Sequence, residues 1–166
     1  MILNGILSPG KKLVMRSILC AAIMVASLEM SAQSLPDFSG VWMQDITRSD
    51  DFYKNFDIKC TIIQTAQSFT VATTFYDKSG TELVTRESAF SLDGKEITDS
   101  EGTRRSAKWS QDKRTLVTTE TKDYGGDVVG VTVSYSFSGD GVELTVITSD
   151  IKPDVKTVKQ VFTRKV

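Results

Sequence analysis

The chain has 166 residues, of which 40% are hydrophobic and 25% charged, with a formal net charge of −1 and no histidine. Balanced charge without a basic stripe argues against a nucleic-acid partner. The missing histidine excludes a Ser-His-Asp or Cys-His site within the chain and removes the commonest ligand of zinc and haem.

The first predicted element is an export segment. Lys11, Lys12 and Arg16 make a basic start, a mostly apolar run follows from Ser17 to Leu28, and Met30-Ser31-Ala32-Gln33 supplies small residues before a polar beginning. This is the three-part layout of a secretory signal peptide. The apolar run of about 12 residues is shorter than the roughly 20 a spanning helix needs, and Glu29 interrupts it. Cleavage is expected after Ala32. Residues 1–32 then read as a signal peptide and residues 33–166 as one domain, periplasmic or secreted, with no stable membrane anchor. Met15 offers a second possible start, and Cys20, preceded by Leu19 inside the apolar core, does not fit a lipidated cysteine. Cys60 becomes the only cysteine of the mature chain, so no internal disulfide is available. It shares a face with Ile58 and Ile62 and reads as a buried small apolar residue.

From Phe38 onward the sequence alternates with period two and turn residues recur at short intervals, the pattern of an all-β sandwich or barrel. Strands are expected at 38–46, 57–65, 69–76, 81–92, 95–98, 103–110, 115–122, from about 129 to 138, 142–148 and 156–165. Asp50 to Tyr53 suggests a short helical turn. Asp77-Lys78-Ser79-Gly80, Gln111-Asp112-Lys113-Arg114, Tyr124-Gly125-Gly126-Asp127 and Gly139-Asp140-Gly141 are turns. Asp93-Gly94 reads as a hairpin, because glycine accepts the positive φ of a type I′ turn. The clearest alternation is Val129, Val131, Val133, Tyr135 and Phe137 against Gly130, Thr132, Ser134, Ser136 and Ser138. One buried and one wet face mark an antiparallel sheet. Short connections throughout favour a single antiparallel up-and-down barrel of eight to ten strands, whose closure removes exposed edges. A sandwich is the alternative.

Phe38-Ser39-Gly40-Val41-Trp42, Leu92-Asp93-Gly94-Lys95-Glu96, Ala107-Lys108-Trp109-Ser110 and Val161-Phe162-Thr163-Arg164-Lys165 together resemble the lipocalin-like, or calycin, barrels of small exported bacterial proteins. The resemblance spans the mature chain. It implies that Trp42, beside Gly40, packs at the closed end with Arg164 laid over its ring, a contact worth roughly 0.5–2 kcal/mol. This would be a structural plug and not a ligand site. The chain departs from the lipocalin pattern in lacking the usual disulfide, in showing ten strands and not eight, and in having no long helix after the barrel.

Candidate ligand-binding residues follow from strand faces. Arg105 shares a face with Thr103, Ala107 and Trp109, which is itself a candidate ligand contact; pointing inward, the Arg105 fork of donors can hold a carboxylate or phosphate. The alternative is a rim arginine with its stem packed and its head in water. Arg86 shares a face with Val84, Ser88 and Phe90 and is a second anchor if that face is inward; with Leu83, Thr85, Glu87 and Ala89 inward it is solvent-exposed. Tyr135 and Phe137 lie on the apolar face of strand eight as core or cavity lining. Asp50, Asp51 and Asp57 form an acidic group without the spacing or glycine of a calcium loop. Glu96, Asp99 and Glu101 contain carboxylates of the kind used in glycoside chemistry, but a short strand and turn ordinarily carry such charges.

The expectation is an exported protein that binds a small apolar or amphipathic ligand in the barrel, with no catalysis, no metal and no cofactor. The alternative is a structural or interaction module of the cell envelope, its barrel filled by side chains. Inward bulk from Trp42, Phe69, Phe75, Trp109, Tyr135, Phe137 and Phe162 favours the filled form.

Overall fold

The alternation of apolar and polar residues becomes ten strands in the computed structural model, which describes residues 34–151 and 156–165. The expected signal segment lies outside the described residues. The strands are β1 Gly40–Gln44, β2 Asp57–Gln64, β3 Ser68–Tyr76, β4 Glu82–Ser91, β5 Ile97–Thr98, β6 Arg104–Trp109, β7 Thr115–Tyr124, β8 Asp127–Phe137, β9 Glu143–Asp150 and β10 Thr157–Arg164. A single turn of 3-10 helix, Asp51–Tyr53, follows β1. All ten strands belong to one antiparallel sheet in the order β4-β3-β2-β1-β10-β9-β8-β7-β6-β5. Each strand but one pairs with its successor. The sheet curls until first and last strands meet, with Trp42 opposite Arg164 and Gln44 opposite Phe162.

The exception is the step from β4 to β5. No ladder joins β4 to β5 or β6, so the barrel is nearly closed and a seam remains. This corrects the hairpin expected at Asp93-Gly94. The local turn chemistry is present: Asp93 Oδ1 accepts from the Ser91 hydroxyl at 2.6 Å and from the Lys95 N–H at 2.9 Å, and Gly94 has φ +80°. The chain after it nevertheless leaves β4 and pairs only onward, through Ile97 opposite Arg105 and Thr98 opposite Arg104. A bend and a hairpin use the same turn residues; the pairing partner decides between them. Closure therefore removes every edge but those flanking the seam.

A second difference lies at the start. Phe38 stands outside β1, which begins only at Gly40, where the backbone takes φ +142°. Residues 34–39 instead cross one end of the barrel. Gln64 holds this segment at both faces of its amide, accepting from the Phe38 N–H at 3.2 Å and donating to the Pro36 carbonyl at 2.8 Å.

Phe38 thus becomes the centre of an aromatic plug. It is fully buried, as is Trp42. Its ring stacks on Trp109 at 5.9 Å between centroids and meets Phe137 at 4.8 Å, and Trp42 meets Phe137 at 5.7 Å. Trp42 Nε1 donates to the Phe38 carbonyl at 2.9 Å, so the indole's polar atom is satisfied inside the core. The Arg164 guanidinium lies 4.7 Å from the Trp42 ring. A Cβ on Gly40 would sit 3.6 Å from Trp42 Nε1 and 3.7 Å from the Arg164 guanidinium carbon. Phe69, Leu116 and Leu144 complete the packing.

Candidate functional site

The plug fills one end of the barrel and leaves a cavity of about 220 Å³ in the other. Its walls follow strand alternation. β3 and β4 contribute Val71, Thr73, Phe75, Arg86, Ser88 and Phe90; β7 and β8 contribute Thr118, Glu120, Val131, Val133 and Tyr135; β9 and β10 contribute Val146, Thr148, Gln160 and Phe162. Cys60 from β2 and Tyr53 from the 3-10 turn complete the lining. The inward face of β4 is therefore the one carrying Arg86, Ser88 and Phe90, which decides the register left open by the sequence.

The polar lining divides into satisfied and unsatisfied groups. Glu120 Oε2 accepts from Arg105 Nε at 2.7 Å and from the Ser88 hydroxyl at 2.9 Å. Arg105 Nη1 reaches Asp99 at 2.8 Å. Burial works against the Arg105 charge, but hydrogen bonds to Glu120 and Asp99 outweigh it and raise its pKa. Asp99 is held below the usual carboxylate range, first by the Thr103 backbone N–H and then by Arg105. Arg105 is thus interior-facing, as its strand position implies, yet its fork is occupied by the protein's own carboxylates. Arg86 has no carboxylate partner among the described residues and is exposed on the cavity's open side. Burial pushes the Tyr53 hydroxyl up, and the Arg86 charge partly offsets this.

Gln160 is the polar residue that the sequence reading missed. It is only 7% exposed, lines the cavity, and has no hydrogen-bond partner among the described residues. The signal was present in β10, where Gln160 interrupts the buried run of Val158, Val161 and Phe162. Glu120 was missed for a similar reason: it continues the inward face of Leu116 and Thr118. Gln44 stands on the same interior face as Trp42, and both its amide atoms are buried without a partner.

The other sequence candidates separate cleanly. Tyr135 lines the cavity, and burial drives its hydroxyl well above the ordinary tyrosine range. Trp109 and Phe137 belong to the plug and do not line the cavity. Cys60 is 3% exposed, and burial pushes its thiol up to about 12. The acidic group of Asp50, Asp51 and Asp57 is dispersed: Asp50 accepts from the Lys159 N–H, Asp51 pairs with Lys54, and Asp57 pairs with Lys78. Of the other three carboxylates, Asp99 is committed to Arg105, and Glu101 lies 3.5 Å from Lys122. Among the described residues no group of three or more Cys, Asp or Glu is placed to hold a metal ion.

No family model matches the sequence, and no curated protein matches it. Among solved structures, secretory abundant heat soluble protein 4 from Ramazzottius varieornatus is similar over 77% of this chain and 94% of its own, with a TM-score of 0.53 and 17% identity. Zebrafish ileal bile acid-binding protein, solved with cholic acid, covers 78% of this chain and 98% of its own, with a TM-score of 0.40 and 16% identity. Likeness at such identities concerns architecture alone. The chain is an all-β, ten-stranded antiparallel up-and-down barrel resembling the calycin fold.

Proposed function

We propose that this protein is an exported binder that carries a small apolar or amphipathic molecule inside its barrel and performs no chemistry on it. The observation that carries this reading is the 220 Å³ cavity inside the barrel, whose wall mixes apolar side chains such as Val71, Val146 and Phe162 with polar ones such as Arg86, Glu120 and Gln160. Such a lining is how small-molecule sites combine affinity with orientation. Arg86 and Tyr135 are the proposed ligand contacts among the sequence candidates. Arg105 acts indirectly, by holding Glu120 in place. Export rests on the layout of residues 11–33, and N-terminal sequencing of the envelope-derived protein tests it. A start at or near Gln33 supports export, whereas an intact Met1 or Met15 terminus opposes it.

A second reading, an interaction module of the cell envelope, is favoured by the aromatic plug, which fills one end of the barrel. Native mass spectrometry of protein purified without detergent separates the two. A bound mass of a few hundred daltons that disappears in Val146→Phe supports the carrier. A bare mass, with no uptake of offered amphiphiles, favours the interaction module.

A further inference from the structure

We propose that the cavity is the seat of a compact aromatic carboxylic acid bearing a second hydrogen-bonding group, and not of a long acyl chain; this rests on the binding reading above.

Size sets the first limit. A dry cavity of about 150 Å³ accommodates benzene, and sites for larger organic ligands start near 300 Å³. At about 220 Å³ this cavity takes one ring and a short substituent. A long chain would have to leave most of its length outside the barrel, in water, where it gains no burial energy.

Wall chemistry sets the second. Phe75, Phe90, Tyr135 and Phe162 present aromatic surface on three sides, which suits a flat ring packed edge-on or offset. A purely apolar occupant would leave Gln160 unpaired at 7% exposure. Leaving a buried amide without a partner is unfavourable, so the occupant that binds best supplies a hydrogen-bonding group there.

Charge sets the third. Glu120 lies between Arg105 and Ser88 and is already neutralised by Arg105. Arg86 is the cation of the lining that lacks a carboxylate partner among the described residues. Its planar fork matches a carboxylate in a bidentate manner, and its place on the open side keeps the anionic group near water. The ring then enters first, with its second polar group toward Gln160 and its carboxylate under Arg86.

Isothermal titration of the full chain with 4-hydroxyphenylacetate and, separately, with palmitate tests this. The expected result is one-to-one binding of the aromatic acid, weakened at least tenfold by Arg86→Gln and by Gln160→Leu. The unsubstituted phenylacetate is expected to bind more weakly to the parent protein and equally to parent and Gln160→Leu. Circular dichroism confirms that each variant is folded, and Lys113→Gln, on a distant turn, serves as the charge control. Palmitate binding without uptake of the aromatic acid would overturn this inference while leaving the carrier reading intact. Binding of neither probe would overturn both. Equal loss in Lys113→Gln would show a surface charge effect and overturn the seat.

Discussion

Ser88 on β4 and Glu120 on β7 share a hydrogen bond of 2.9 Å, and that bond spans the seam where the sheet has no ladder. Glu120 is itself gripped by Arg105 of β6 at 2.7 Å. Side chains therefore do at this one place what backbone hydrogen bonds do around the rest of the barrel. The arrangement is economical, because the same carboxylate closes the seam and polarises the cavity wall.

The first prediction concerns that carboxylate. Glu120→Ala is expected to destabilise the fold by about 1–3 kcal/mol, the cost of removing one partner from a charged hydrogen bond. The lower part of the range applies, because Arg105 keeps Asp99 and Glu120 is about a third exposed. Ser88→Ala should cost less. Denaturant midpoints measure both, and hydrogen exchange should quicken in β4 before it does in β2. An unchanged midpoint in Glu120→Ala would show that the seam needs no latch.

Acid should weaken the barrel through its turns. Asp77, Asp93, Asp112 and Asp140 each accept hydrogen bonds from nearby hydroxyls and backbone N–H groups, which hold their carboxyls below the ordinary value of 3.8. Asp93 falls to about 2, with the Ser91 hydroxyl the largest cause. A depressed folded pKa means the unfolded chain binds protons more readily, so the stabilisation is complete above about pH 4 and is lost as pH falls through the folded values. Urea midpoints at pH 7, 4.5, 3 and 2 should hold steady between the first two and drop across the last two. A midpoint flat down to pH 2 would contradict this.

Gln44 offers a stabilising substitution. Its amide is buried with neither atom paired, a condition that costs about 1–3 kcal/mol. Gln44→Met keeps the length of the side chain and removes the unpaired atoms. The expected gain is about 1 kcal/mol, seen as a higher thermal midpoint. A lower midpoint would mean that the amide is satisfied in solution by an ordered water.

Cys60 should be inert to thiol reagents in the folded protein. It is buried, and its thiol is pushed up to about 12, so almost no thiolate exists at pH 8. Reaction with Ellman's reagent should be at least a hundredfold slower than in urea-unfolded chain and should track the opening rate. Prompt labelling without denaturant would require a route to Cys60 through the cavity.

Strand placement was legible in the sequence because it depends on local alternation, which survives whatever a strand pairs with. β2, β3 and β7 begin and end within two residues of the expected positions. The seam was not legible. Ser91-Leu92-Asp93-Gly94 carries turn chemistry that serves a bend and a hairpin equally, and only the onward pairing of β5 with β6 distinguishes them. Arg105 shows the same limit at the site. Its inward direction follows from alternation with Ala107, but Asp99 and Glu120 reach it from a turn and a neighbouring strand, and register between strands is not written in either one. Gln160 was readable as a polar residue on a buried face, between Val158 and Phe162.

The pairing of β1 with β10 has a kinetic consequence. Trp42 finds Arg164 only when opposite ends of the domain sequence come together, so the step that shuts the barrel also closes its longest loop. Loop-closure entropy makes such contacts slow and late. Until β10 arrives, β1 presents an unpaired edge beside the apolar surface that Phe38 and Trp42 later bury. A chain emerging residue by residue would remain open over most of its synthesis. Folding is therefore expected to wait on the final strand, and a truncation that removes β10 should leave an aggregating meander where the full chain gives a barrel.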